Sequence, residues 1–468
     1  MEEAGTAPGE TNVPPAAGAR GAPRATCAVD PADSAYLEGL VDEAVADLEA
    51  RLGPPAGGLL GVILAGSLAR GEGTVWRGAA GPRALSDLDL AAVVADEATR
   101  VRLAPLAASC ARGLARRLRA RGLVAAVDVG VYAPVDLARQ IKRPGTLEMR
   151  RSGRVLRGPA DLPELIPAFE ESEIPRDEAL VLLENRGLEL LAAWPGVGPD
   201  GGGDAALAAL YAGMKALLDA AFALVVYEGR CPATGQARQA ALELLTVEGR
   251  FDDLHAVLPD FRSAVAFWTS MKSRPDATAI ARHLGVADRG DLVALARRTW
   301  REGARAWVEC YRVLVGRMAG RPGAPLAVLV EHAAHRARLR RRLRRWAEWS
   351  LAARSSGQAG SDGWALRPMP ARLGLALHGA PEHELAATAA ILLGAWAAAA
   401  GAGPPPDWPH FVRSRFPGAC PERLDWERCR HAVVRLWDSV ELRGTRTAWD
   451  VPPPRPAEAG QEDRGEGA

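Results

Sequence analysis

The chain is poor in lysine. Lys142, Lys215 and Lys272 are its only lysines, and the rest of its basic residues are arginine. With abundant Ala, Gly and Pro, this reads as the imprint of a GC-rich genome, so arginine-rich stretches alone argue little about function. Net charge is lacking too: 58 basic residues face 57 acidic ones, for a formal charge of +1. No global field therefore draws the protein towards nucleic acid, a membrane surface or acidic ligands. The six cysteines, Cys27, Cys110, Cys231, Cys310, Cys420 and Cys429, are scattered without a CxxC pair. That pattern excludes a dense disulfide framework and favours free thiols in a reducing compartment. Cys420, Cys429 and His431 lack zinc spacing, and His332 and His335 have no Cys or carboxylate pattern around them. The Ala-rich run 386–400 is too short and too small-sided to span a bilayer. Glu2 and Glu3 open a Pro, Gly and Ala stretch without the basic flank and apolar core of a secretory signal. Together these absences predict a cytoplasmic protein with no membrane partner.

What is present has the composition of a globular chain. Of its 468 residues, 48% are hydrophobic and 25% charged, enough for two or three domains. Residues 1–32 and 451–468 are Pro-, Gly- and Ala-rich and read as disordered tails. Residues 34–52 place Leu37, Leu40, Val41, Val45, Leu48 and Leu52 at helical spacing, with Asp33 or Ser34 as the cap. The period then changes. Residues 59–65 form an apolar run ending at Gly66-Ser67; 87–94 and 123–132 read as further strands, with a helix over 101–121 between them. This order predicts a small sheet domain over 33–170. From residue 175 onward strand signals nearly vanish. Helices are expected at 180–194, 205–227, 236–245, 292–318 and 324–351, making a helical bundle domain over 171–353. A Gly/Ser linker over 355–363 leads to a C-terminal helical segment over 364–450, with helices at 382–400 and 425–440.

The chemistry concentrates in the sheet domain. Alternation along a strand puts Asp87 and Asp89 on one face and Leu88 and Leu90 on the other. Asp128 sits between Val127 and Val129 in the next strand, where a carboxylate with no partner would be costly. Three carboxylates so arranged are hard oxygen ligands of the kind Mg²⁺ takes. Upstream, Gly66 permits close backbone approach, and Ser67 offers a hydroxyl and an N–H where a helix begins. Arg70 follows one turn later and is placed to neutralise a phosphate.

Ala65-Gly66-Ser67-Leu68-Ala69-Arg70-Gly71 followed by Ser86-Asp87-Leu88-Asp89-Leu90 resembles the signature of the polymerase-β-type nucleotidyltransferase superfamily. The Ser-x-Ala-Arg-Gly and Ser-Asp-x-Asp-Leu forms look like its minimal branch, which includes antibiotic-modifying enzymes and the antitoxins paired with helical HEPN toxins. The resemblance implies a small mixed-sheet nucleotidyltransferase domain followed by a mainly α-helical domain, an α+β/α architecture. It implies that Asp87 and Asp89 ligate two Mg²⁺ ions, and that Asp128 ligates the catalytic one and helps activate an acceptor hydroxyl. Gly66, Ser67 and Arg70 would then bind the nucleotide. One departure stands out: residues 68–86 separate the two halves of the motif, more than in minimal members. The excess, 73–84, is Gly-rich and reads as a loop.

Further on, Glu184-Asn185-Arg186-Gly187-Leu188 and Tyr211-Ala212-Gly213-Met214-Lys215 look like the helical half of bacterial nucleotidyltransferase-domain proteins. On that likeness Lys215 joins the nucleotide-binding set, Arg186 is a candidate phosphate or acceptor ligand, and Glu184 a candidate base. The run from Arg336 to Arg345 alternates with Leu339 and Leu343 and reads as the basic face of an amphipathic helix, not a nucleic-acid site. Thirteen tryptophans, many late in the chain, read as packing residues. The spacing of Arg428 and His431 does not match a HEPN ribonuclease motif. The expected function is transfer of a nucleoside monophosphate from a nucleoside triphosphate to a hydroxyl of a small molecule or protein, with release of pyrophosphate. The alternative is a non-catalytic regulator that keeps the fold to sense nucleotide or bind a partner.

Overall fold

A computed structural model describes residues 30–53, 58–198, 201–335, 343, 346–347, 381–399, 408–415 and 425–441. Helix α1 (Pro31–Leu52) starts earlier than its apolar spacing indicates. Its cap is Asp30, not Asp33 or Ser34: the Asp30 carboxylate accepts from the N–H groups of Ala32 (2.8 Å) and Asp33 (3.3 Å). Pro31 takes the first helical position, where a missing N–H costs nothing and its fixed φ already suits the helix. The end of the expected 1–32 tail is thus drawn into α1. Residues 1–29 and 451–468, the 355–363 linker and most of the arginine run lie outside the described residues.

The sheet domain contains β1 (Leu59–Leu64), α2 (Gly66–Ala69), β2 (Val75–Gly78), β3 (Gly81–Ala84), β4 (Leu88–Val94), α3 (Glu97–Ala120), β5 (Val127–Tyr132), α4 (Pro134–Ala138), α5 (Pro144–Ser152) and β6 (Arg154–Arg157). Four strands form a mixed sheet in the order β5-β4-β1-β6; β1 runs antiparallel to β4 and β6, and β4 parallel to β5. Alternation divides the strands cleanly. Val62, Leu64, Leu88, Leu90, Ala92, Val127 and Val129 join α1 and α3 in one core. Ile63, Ala91 and Val93 face the opposite layer, with Leu137, Met149 and Ile166. Asp89 and Asp128 belong to this second face by register, at the beginnings of their strands.

Two strand regions, holding three strands, were not legible in the sequence. The 73–84 segment is not a loop: β2 and β3 pair as an antiparallel hairpin, Val75 against Ala84 and Trp76 against Arg83. Burial is the reason, since Trp76 and Leu85 pack into the helical core and Arg83 bonds Asp204 at 3.0 Å. The other is β6, an edge strand with few apolar residues. Arg154 fastens it to α1 by two bonds to Glu38 (2.7 and 3.0 Å).

Every described element beyond residue 175 is helical: α6 (Glu178–Ala193), α7 (Gly203–Tyr227), α8 (Gly235–Val247), α9 (Asp252–Val257), α10 (Phe261–Ser273), α11 (Ala277–Leu284), α12 (Leu292–Met318), α13 (Leu326–Ala334), α14 (Pro381–Ala399), α15 (Trp408–Arg415) and α16 (Trp426–Glu441), with a 3₁₀ turn (Trp194–Val197) between α6 and α7. Helix α13 is the described part of the helix expected over 324–351. Helix α7 is long and apolar enough to cross a membrane, yet it is enclosed, with 83% of its most apolar window buried. Trp300 and Trp307 of α12 are buried and donate their indole N–H groups to the carbonyls of Leu190 and Leu183 on α6, both at 2.8 Å. Trp194 meets Trp300, Trp396 and Trp426 edge-on, so α14 and α16 share this core.

Helices α7 and α12 touch backbone to backbone. A Cβ on Gly303 would lie 2.1 Å from the Gly213 carbonyl oxygen, and one on Gly213 would lie 2.6 Å from the Thr299 carbonyl oxygen. A methyl group at either place must separate the helices. Gly303→Ala is therefore expected to destabilise the protein by about 1–3 kcal/mol. Gly39→Ala, at a helical position with open space around it, should stabilise by about 0.5–1 kcal/mol. Thermal unfolding of the two variants checks this: a Gly303→Ala midpoint at or above wild type would contradict the close approach.

Candidate active site

The acidic face is built by register. Asp89 and Asp128 are direct partners across the parallel β4–β5 pair, as are Leu88 and Val127 before them. Both are half-buried. Asp87 precedes β4 by one residue and lies two before Asp89, so it shares the same face; its Oδ1 accepts from the Ala126 N–H at 3.4 Å. Tyr132, four residues after Asp128 on β5, lies close enough for both Asp89 and Asp128 to act on its phenol. Burial pushes that phenol up; Arg143 opposes this, and Asp136, Asp128 and Asp89 add to it.

Gly66 brings the preceding turn against these groups. Its φ is +67°, in the left-handed region, and a Cβ there would lie 2.1 Å from the Asp89 Oδ2. Glycine is thus required twice, by backbone conformation and by the carboxylate seated over it. Ser67 follows at the start of α2, where its carbonyl accepts from the Glu72 N–H at 2.9 Å.

The helical half reaches this face through α7. Lys215 donates to the Asp87 Oδ2 at 2.5 Å. One turn earlier, Tyr211 shares a 3.2 Å hydrogen bond with the Ser86 hydroxyl, which also accepts from the Thr74 N–H at 2.9 Å. One turn later, Asp219 pairs with Arg186 at 2.6 Å. Residues 211, 215 and 219 are four apart and line one side of the helix. Of the expected nucleotide ligands, Lys215 is thus brought to the acidic cluster. Arg70 is held differently: its guanidinium is buried between Glu72 (3.1 Å) and Glu148. Arg186 is taken up by Asp219 and Glu189. Glu184 lies in the helical core, 3.4 Å from the His383 Nδ1.

Among the described residues, no three Asp, Glu, His or Cys side chains converge closely enough to hold a metal ion as they stand. Asp87 is turned to Lys215, while Asp89 and Asp128 stand next to each other. The donor set nevertheless fits Mg²⁺ chemistry: hard carboxylate oxygens on adjacent strands, with a glycine at position 66, where a Cβ would crowd Asp89. Comparisons with family models, with curated proteins and with solved structures find no match.

Beside this face the structure contains groups that sequence reading missed. A cavity of about 230 Å³ opens between Arg70, Glu72, Asp219, Arg238, Thr269 and Lys272. Burial raises the Asp219 carboxyl, but Arg186, Lys215, Lys272 and Arg238 outweigh it and hold the group below the usual carboxylate range. Burial lowers the Lys272 ammonium to about 8; Arg70 and Arg238 add to this, and Glu72 and Asp219 offset part of it. The one available signal was the rarity of lysine itself, since Lys272 lines this cavity and Lys215 bonds Asp87.

Two predictions follow from this geometry. Gly66→Ala forces a left-handed alanine, costing about 1–2 kcal/mol, and also displaces the Asp89 carboxylate. Its thermal midpoint should fall, whereas an unchanged midpoint would show that the turn relaxes freely. For Lys272, the folded value of about 8 lies below the ordinary 10.5. Below pH 8 both folded and unfolded chains carry the charge, so its burial cost is fully present; between 8 and 10.5 the unfolded chain binds the extra proton, so stability rises with pH. Lys272→Met should accordingly raise the thermal midpoint at pH 7, with a gain that shrinks towards pH 10. A gain that grew with pH would reverse the assignment.

Proposed function

We propose that the chain is a Mg²⁺-dependent nucleotidyltransferase that moves a nucleoside monophosphate from a nucleoside triphosphate to a hydroxyl group. The observation that carries the reading is the in-register pairing of Asp89 with Asp128 over Gly66, with Asp87 on the same face under Lys215. Asp87, Asp89 and Asp128 would hold the metal, which when bound supplies positive charge to the triphosphate and to the attacking oxygen. Asp128 would ligate the catalytic ion and help to activate the acceptor hydroxyl. Lys215 neutralises Asp87 and, on its flexible stem, swings its ammonium onto a phosphate oxygen bound beside it. Gly66 lets the turn approach the phosphates without a side chain in the way, and Ser67 contributes its hydroxyl and N–H. The wall of α7 covers one side of the face and limits water there.

Each of ATP, CTP, GTP and UTP, labelled in the α-phosphate and incubated with Mg²⁺ and a broad pool of acceptors, tests the proposal. Labelled product and pyrophosphate are expected with at least one nucleotide. Asp87→Ala plus Asp89→Ala should lower the rate by at least a hundredfold while the fold is kept. Product formation indifferent to both substitutions would sink it. A second reading, a nucleotide-sensing regulator, draws on the Lys215–Asp87 ion pair and the tying of Arg70 to Glu72 and Glu148, which engage expected ligand groups within the protein. It requires nucleotide to raise the thermal midpoint with no pyrophosphate released.

A further inference from the structure

The cavity beside Asp219 has a charge arrangement that the acidic face does not explain. Both carboxylates in its wall are committed. Glu72 accepts from Arg70 at 3.1 Å and from the Gly235 N–H at 2.6 Å, and Asp219 holds Arg186 at 2.6 Å. Arg70 and Arg238 both bind Glu148. Lys272 differs: among the described residues its ammonium forms no hydrogen bond or ion pair, although Glu72 and Asp219 are near enough to act on its charge. Its backbone, by contrast, is fixed, because the Thr74 hydroxyl donates to its carbonyl at 2.9 Å. With Glu72 and Asp219 already bonded elsewhere, a partly buried ammonium beside the Arg70 and Arg238 guanidinium groups favours an anion rich in acceptor oxygens.

We propose that this cavity is a phosphoryl-binding subsite centred on Lys272. The ammonium offers three N–H donors to phosphoryl oxygens, with the Thr269 hydroxyl and Arg238 on the same wall. Location ties the subsite to the acidic face. Asp219, in the cavity wall, follows Lys215, which holds Asp87, by four residues, about 6 Å along α7, a span that a polyphosphate covers. This link rests on the nucleotidyl-transfer reading; the anion site itself does not. The phosphoryl group belongs either to the β,γ end of the triphosphate or to a phosphorylated acceptor.

Calorimetric titration of the full chain with inorganic pyrophosphate and with orthophosphate, without Mg²⁺, tests the subsite. The wild type should bind pyrophosphate, Lys272→Met should weaken binding at least tenfold, and Lys272→Arg should keep most of it. With Glu72, Arg70, Asp219 and Arg238 the charged groups facing Lys272, affinity should fall as pH rises through about 8. If nucleoside triphosphate competes with pyrophosphate, the triphosphate end is the occupant; if the two bind together, the phosphorylated acceptor is. Equal affinity in wild type and Lys272→Met, or no binding of either anion by the wild type, overturns the subsite. Nucleotide binding that is lost in Asp89→Asn but intact in Lys272→Met, with pyrophosphate binding also unchanged in Lys272→Met, overturns it while leaving the nucleotidyl-transfer reading in place. Lys272-dependent pyrophosphate binding without any nucleotide binding does the reverse.

Discussion

The contact between α7 and α12 sets the position of everything else in the cleft. Two facing glycines, Gly213 and Gly303, let the helices meet at backbone distance, and this fixes both the depth of α7 and its rotation. Tyr211 lies two residues before Gly213 and Lys215 two after it, so the crossing fixes the backbone from which both side chains project. One side of α7 is therefore committed to α12. The row Tyr211, Lys215 and Asp219 is left facing the sheet domain, where it meets Ser86, Asp87 and the cavity in turn. Buried indoles on α12 that donate to α6 carbonyls remove the remaining freedom.

Charge in the cleft is balanced in detail rather than in bulk. A chain with a net charge of +1 gathers at least four carboxylates and four cations between its two halves, and most meet in pairs or shared triads. Arginine serves where a planar fork is held by two carboxylates, as Arg70 is between Glu72 and Glu148. Lysine serves where a compact, mobile charge is wanted. Lys215 sits on Asp87, and Lys272 faces the cavity. In a sequence that otherwise uses arginine almost throughout, the choice of lysine at these two places is informative.

Much of this was legible beforehand. Period alone located β1, β4, α3, α7 and α12, because long runs with a buried face carry a strong signal. Alternation put Asp87 and Asp89 on one face, and Asp128 in the next strand. The exact pairing of Asp89 with Asp128 was not legible, since register depends on how two strands slide before they pack. Nor were the hairpin and β6, whose strands are short and whose stabilising contacts are tertiary: Trp76 in the helical core, Arg154 on Glu38. Helices α9, α10 and α11 were missed for a related reason. They are short, and α10 in particular is fixed by what it packs against. The cost of missing α10 was Lys272, whose significance lies in neighbours that are distant in the sequence.

The segment 73–84 joins these observations. It separates the Gly66-Ser67 turn from Asp87 and Asp89, and a loop there would have left the acidic strand free of the helical half. As a hairpin it does the opposite. Trp76 enters the helical core, Arg83 holds Asp204 near the start of α7, and Thr74 bonds both to Ser86, next to Asp87, and to the carbonyl of Lys272. A single residue thus touches the approach to the acidic face and the backbone of the cavity lysine. Through those two bonds the segment ties the backbone of α10 at Lys272 to Ser86, the residue before Asp87.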